Sequence, residues 1–93
     1  MIPDRRIATH PGEVLNHEFL EPLELTQTAL ARHLRVPIQR VNELVRGKRG
    51  VTPDTAWLLA QAFDTTPEFW MNLQVNHDLS LTRKPKGIGS LVA

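Results

Sequence analysis

The sequence contains no cysteine, which removes disulfides, thiolate metal sites and cysteine nucleophiles from consideration. It also has no run approaching the roughly 20 apolar residues of a membrane-spanning helix. The opening "MIPDRRIATH" lacks the apolar stretch of a secretory signal. These absences point to a cytoplasmic protein without a membrane partner. The four histidines, His10, His17, His33 and His77, include no pair at the i, i+4 spacing of a helical zinc site, and "HEFLE" is not H-E-x-x-H. Surface or capping roles are expected for them, and no metal or cofactor. No Ser/His/Asp set or phosphate-binding loop is present, so no catalytic residue is nominated and an enzyme is not expected. Alternation of apolar and polar residues is missing too, which argues against a sheet.

At 93 residues, 41% hydrophobic and 23% charged, the chain suits one domain with a single modest core. Its net charge of +1 conceals a segregation by sign. Residues 1–31 carry Arg5 and Arg6 against five acidic residues. Residues 32–49 carry Arg32, Arg35, Arg40, Arg46, Lys48 and Arg49 against Glu43 alone. Residues 50–82 hold Asp54, Asp64, Glu68 and Asp78 and no Lys or Arg, and Arg83, Lys84 and Lys86 follow. A cationic segment this confined is the footprint of a polyanion-binding face, and an ordinary solvated helix face would mix the signs.

Five helices follow from the punctuation. Pro11 suits a first turn, with Val14, Leu15, Phe19 and Leu20 as apolar positions, and Pro22 ends that helix near Glu21. Thr26 is an N-cap for a second helix to about Leu34. Pro37 opens a third, whose buried stripe is Val41, Leu44 and Val45, and Gly47 stops it. Thr52-Pro53 and Thr66-Pro67 repeat one start signal, N-cap then N1, for the fourth and fifth helices. Ala56, Leu59, Ala60 and Phe63 form the stripe of the fourth. Residues 1–81 read as the all-α domain, and 82–93, "TRKPKGIGSLVA", as a flexible tail.

Helices two and three are separated by only "RVP" at 35–37, a connection short enough to force a steep crossing. This is the helix-turn-helix arrangement, spanning about residues 26–46, with Ala31 as the small residue at the corner. With Val41 and Leu44 inward, the outward set includes Ile38, Gln39, Arg40, Asn42, Glu43 and Arg46. An α-helix fits the major groove of duplex DNA, where Gln and Arg pair with adenine and guanine edges. Gln39, Arg40 and Glu43 are the expected base readers. Glu43 could accept from cytosine N4 or orient Arg40 or Arg46. Gln27, Arg46, Lys48 and Arg49 are expected at phosphates, the last two on a loop with open backbone N–H groups. Trp70 is expected in the core. Trp57 falls off the apolar stripe and, with Leu58, is a candidate patch for a dimer or protein-partner interface.

"LTQTALARHLRVPIQRVNELVRGKRGVTPDTAWLLAQAF" resembles the helix-turn-helix of phage-repressor-type regulators. More narrowly, "HPGEVLNHEFLEPLELTQTALARHL", "NELVRGKRGVTPDTAWLLAQAF" and "TPEFWMNLQ" resemble the HigA antitoxins of type II toxin–antitoxin modules, over about residues 10–79. The resemblance implies a five-helix repressor-like fold and a homodimer on double-stranded operator DNA. It implies autorepression of the operon and neutralisation of a small RelE-like mRNA-cleaving toxin. A regulator without a toxin, or an interaction module that has lost DNA binding, are the alternatives. Two positions depart from the repressor pattern. Arg35 stands where glycine is usual, at a cost of about 1 kcal/mol if its φ is positive. Pro37 stands where Ser or Thr would supply a side-chain cap.

Overall fold

The structure, a computed structural model, describes residues 7–92; the N-terminal residues 1–6, with Arg5 and Arg6, and Ala93 lie outside the described part. Helix α1 (Pro11–Val14) begins on His10, whose Nδ1 accepts from the Gly12 N–H at 2.8 Å. It runs on without a break as a π-wound segment, Leu15–Leu20. The wider winding, with the Glu21 N–H bonded to the Asn16 carbonyl, brings Leu15 and Leu20, five apart and both buried, onto one face. A strictly α-helical reading of the sequence does not anticipate this. Glu24, in left-handed conformation at φ 52°, turns the chain into α2 (Gln27–Leu34).

Helices α3 (Ile38–Val45), α4 (Pro53–Phe63) and α5 (Pro67–Leu81) complete an architecture that is helical throughout the described residues. The threonine start signals work as caps. Thr26, Thr52 and Thr66 accept from the backbone N–H groups of Ala29, Thr55 and Phe69, satisfying donors that a helix N-terminus leaves open. Pro37 at the start of α3 makes no such bond.

The core is formed by Leu15, Leu20, Leu30, Ala31, Val41, Leu44, Val51, Ala56, Leu59, Ala60 and Trp70. Trp70 is fully buried within an aromatic group of Phe19, Phe63 and Phe69, and its indole N–H donates to Thr65 Oγ1 at 2.8 Å. Burial of an indole with its one donor satisfied is the stable arrangement. Helix α1 lies so close to α3 that a Cβ on Gly12 would fall 1.8 Å from the Leu44 carbonyl oxygen. Only glycine permits that approach, and it fixes α3 from behind. Beyond Leu81, residues 82–92 form no helix and are exposed, including the apolar Ile88, Leu91 and Val92.

Candidate nucleic-acid interface

The angle between α2 and α3 is set at Arg35. Its φ of 59° and ψ of 43° are left-handed, and the Val36 N–H closes back on the Ala31 carbonyl at 3.0 Å. An arginine accepts this conformation at a cost of about 1 kcal/mol, so packing across the corner outweighs the local preference. That packing comes from Leu30 and Ala31 on one helix and Val41 and Leu44 on the other, all buried. The opposite face of α3 is thereby turned outward.

That face and the loop after it form a concavity of about 730 Å³, lined by Pro37, Gln39, Arg40, Asn42, Glu43, Arg46, Lys48 and Arg49. Six of the seven residues expected to touch bases or phosphates therefore share one surface. Gln27 is the seventh, and it reaches the same surface indirectly. Its Oε1 accepts from Asn42 Nδ2 at 3.1 Å, which ties the first turn of α2 to the middle of α3 and leaves the Gln27 amide N–H groups as outward donors.

The charges are less open than a helical wheel implies. Arg49 donates from Nε and Nη2 to Glu43 Oε1, at 3.2 and 2.9 Å, so Glu43 restrains Arg49 and not Arg40 or Arg46. Arg40 donates to Asp54 Oδ2 and to Thr55 Oγ1. Gln39, Arg46 and Lys48 hydrogen-bond through their side chains to no described residue and stand exposed. Ion pairs at solvent are worth about 0–1 kcal/mol, so an arriving polyanion can replace the carboxylates. The loop backbone is also partly committed. Gly47, at φ 73°, and Lys48 direct their N–H groups to the Leu44 and Glu43 carbonyls, which corrects the expectation of open backbone donors at Lys48.

Gln74 and His77, missed from sequence, position this surface together with His10, for which a surface or capping role was expected. Gln74 on α5 accepts from the Val51 N–H at 2.6 Å and donates to Asp78 Oδ1, anchoring the end of the loop. His10 packs beneath Gly47, where a Cβ would lie 3.9 Å from its ring. Its imidazole pKa is held below 6.5, first by burial and then by repulsion from His77, whose ring lies 4.8 Å away edge-on. His77 in turn donates from Nδ1 to the Ala8 carbonyl, and Ser80 Oγ accepts from the Ala8 N–H. The available signal was the capping position of His10; Gln74 and Val51, and His77 and Ser80 with Ala8, lie more than 20 residues apart in sequence.

Trp57 is 59% exposed and borders a shallow groove with Pro53, Ala56, Pro67, Glu68, Met71 and Asn72. Leu58 does not join it. It is half-buried and lines an apolar crevice with Leu30, Leu34, Val36 and the stem of Arg40. One residue of helix turns the two side chains to different faces. Among the described residues no group of three His, Asp or Glu gathers as a metal site requires, and no helix is long and apolar enough to cross a membrane.

A helix-turn-helix family model matches residues 17–70. The chain is similar to virulence-associated protein I of Dichelobacter nodosus, 43% identical over 79 residues, which span 85% of this chain and 73% of that protein. It is 47% identical over 73 residues to antitoxin HigA-1 of Vibrio cholerae, spanning 77% of this chain and 68% of that protein. Among solved structures it resembles the Pseudomonas aeruginosa antitoxin HigA with the higBA promoter. That match has a TM-score of 0.78 and 44% identity, and it covers 80% of each chain. The α2–α3 pair joined through left-handed Arg35, the five-helix plan and these likenesses agree: this chain belongs to the helix-turn-helix family and, within it, to the HigA antitoxins, a group of DNA-binding regulators and not of enzymes.

Proposed function

We propose that the chain is a sequence-specific DNA-binding antitoxin that represses its own operon and neutralises a small RelE-like toxin that cleaves mRNA. The cationic concavity on α3 carries the DNA half of this reading, because it gathers Gln39, Arg40 and Glu43 beside Arg46, Lys48 and Arg49. Two copies, as a homodimer, present their α3 helices to successive major grooves about 34 Å apart. Gln39, Arg40 and Glu43 meet base edges, while Gln27, Arg46, Lys48 and Arg49 hold phosphates. The structures of HigA with the higBA promoter and of antitoxin GraA with its operator support the reading by likeness. Trp57, without Leu58, is the proposed anchor for a second copy or the toxin.

Titration of a labelled duplex from the chain's own upstream region, against a scrambled duplex and across salt, tests the DNA half. Preference for the native duplex, with affinity falling linearly in log salt, is expected; equal affinity for both would refute it. Co-expression with the product of the adjacent gene tests the toxin half. Growth rescue is expected, and its absence leaves a plain regulator.

A further inference from the structure

Arg40 is held more tightly than its place in the concavity requires. Its Nη2 donates to Thr55 Oγ1 at 2.7 Å and to Asp54 Oδ2 at 3.1 Å, which uses both hydrogens on that nitrogen. A guanidinium reads guanine through two parallel N–H donors, and each of its two such edges includes Nη2. In this state Arg40 can offer a groove only single hydrogen bonds, from Nε or Nη1. The two internal bonds differ in kind. Thr55 is 6% exposed and its hydroxyl also lies 3.3 Å from Thr52 Oγ1, so its bond is short, buried and fixed by the start of α4. The Asp54 side chain is 77% exposed, so its pairing is screened and easily exchanged.

We propose that Asp54 and Thr55 set the sequence discrimination of the recognition helix: Thr55 fixes the Arg40 guanidinium in place, and Asp54 occupies its bidentate edge until guanine displaces it. This rests on the DNA-binding reading above. A guanine returns two acceptors, O6 and N7, for the one carboxylate oxygen given up. A base edge with a single acceptor, or a donor, returns less than Arg40 loses and leaves Asp54 in place. Discrimination is a difference of affinities, and the cost of breaking the Asp54 pair falls on the guanine complex alone, so the internal competitor holds discrimination below what an unpaired Arg40 would give.

The full chain is tested on its native upstream duplex and on a scrambled one, with the ratio of the two affinities as the readout. Removing a carboxylate strengthens binding to any duplex, so affinity alone is not informative. Asp54→Ala raises the ratio severalfold by strengthening native binding most. Thr55→Val lowers native binding about tenfold with scrambled binding unchanged, and Thr55→Ser restores it. In an Arg40→Ala background neither substitution at 54 or 55 moves the ratio. Should Thr55→Val unfold, Asp54→Ala alone, at its exposed position, decides the matter. An unmoved or lowered ratio in Asp54→Ala, or a shift that survives Arg40→Ala, overturns the clamp while DNA recognition stands. A native chain without preference for its upstream duplex overturns both.

Discussion

Single side chains divide here between those whose neighbours were written nearby and those whose neighbours come from another helix. Lys48 belongs to the first group, exposed at the rim of the concavity. Lys48→Ala should weaken binding to native and scrambled duplexes alike and reduce the slope of log affinity against log salt by about 1. Arg40→Ala should instead cost about 1–3 kcal/mol more on the native duplex than on the scrambled one. Competition titrations at several salt concentrations separate the two patterns. Gln39 was legible from sequence because its outward position follows from the Val41/Leu44 stripe, and Lys48 because it stands in the charged loop after Gly47. The restraint on Arg40 was not, since Asp54 and Thr55 lie on the next helix and only packing brings them across. At Arg35 the resemblance to repressors, which usually carry glycine there, left the sign of φ open, and φ is 59°. Arg35→Gly should stabilise the chain by about 0.5–1 kcal/mol, after the added freedom of the unfolded glycine is set against the relieved strain. Thermal unfolding should rise by a few degrees.

Whole elements were legible where their termini carry local chemistry. The three threonine caps fixed the starts of α2, α4 and α5, because a cap needs only a hydroxyl three residues before the amide it accepts from. The π-wound half of the first helix and the Gly12 contact were not legible, since both answer to what lies across the interface. Gly12→Ala places a methyl group against the Leu44 carbonyl, and overpacking of that kind costs about 1–3 kcal/mol. A lower urea midpoint with an unchanged slope is the expected result. The start of α1 also carries a pH dependence. His10 must be neutral at Nδ1 to accept from Gly12, and burial lowers its folded pKa below the 6.5 of the unfolded chain. Below 6.5 the unfolded chain therefore binds the proton more readily. Stability is present above that pH and is lost as pH falls toward the folded value. His10→Asn, which caps without titrating, should flatten this part of a plot of melting temperature against pH. His17 has the opposite sign, with its pKa raised by the Glu21 hydrogen bond. At a fully solvated position it adds little.

For the molecule as a whole, charge segregation was visible in the bare sequence, and the fold turns it into geometry. Arg40, Arg46, Lys48 and Arg49 of the cationic segment line the concavity of α3 and its loop, while Asp54, Asp64, Glu68 and Asp78 are carried by α4, α5 and the corner between them. The fate of the two tryptophans needed the packed core to resolve. Trp70 is sealed with its N–H on Thr65, whereas Trp57 stands 59% in solvent. The chain thus holds two intrinsic fluorophores in opposed surroundings. Iodide should quench the red-shifted emission of Trp57 and leave the blue-shifted emission of Trp70 nearly untouched. A dilution series followed by that quenching reports whether a second copy shields the exposed indole, without any label. Protection that fades on dilution would mark self-association through α4, and protection that appears only with the toxin would assign the same indole to that partner.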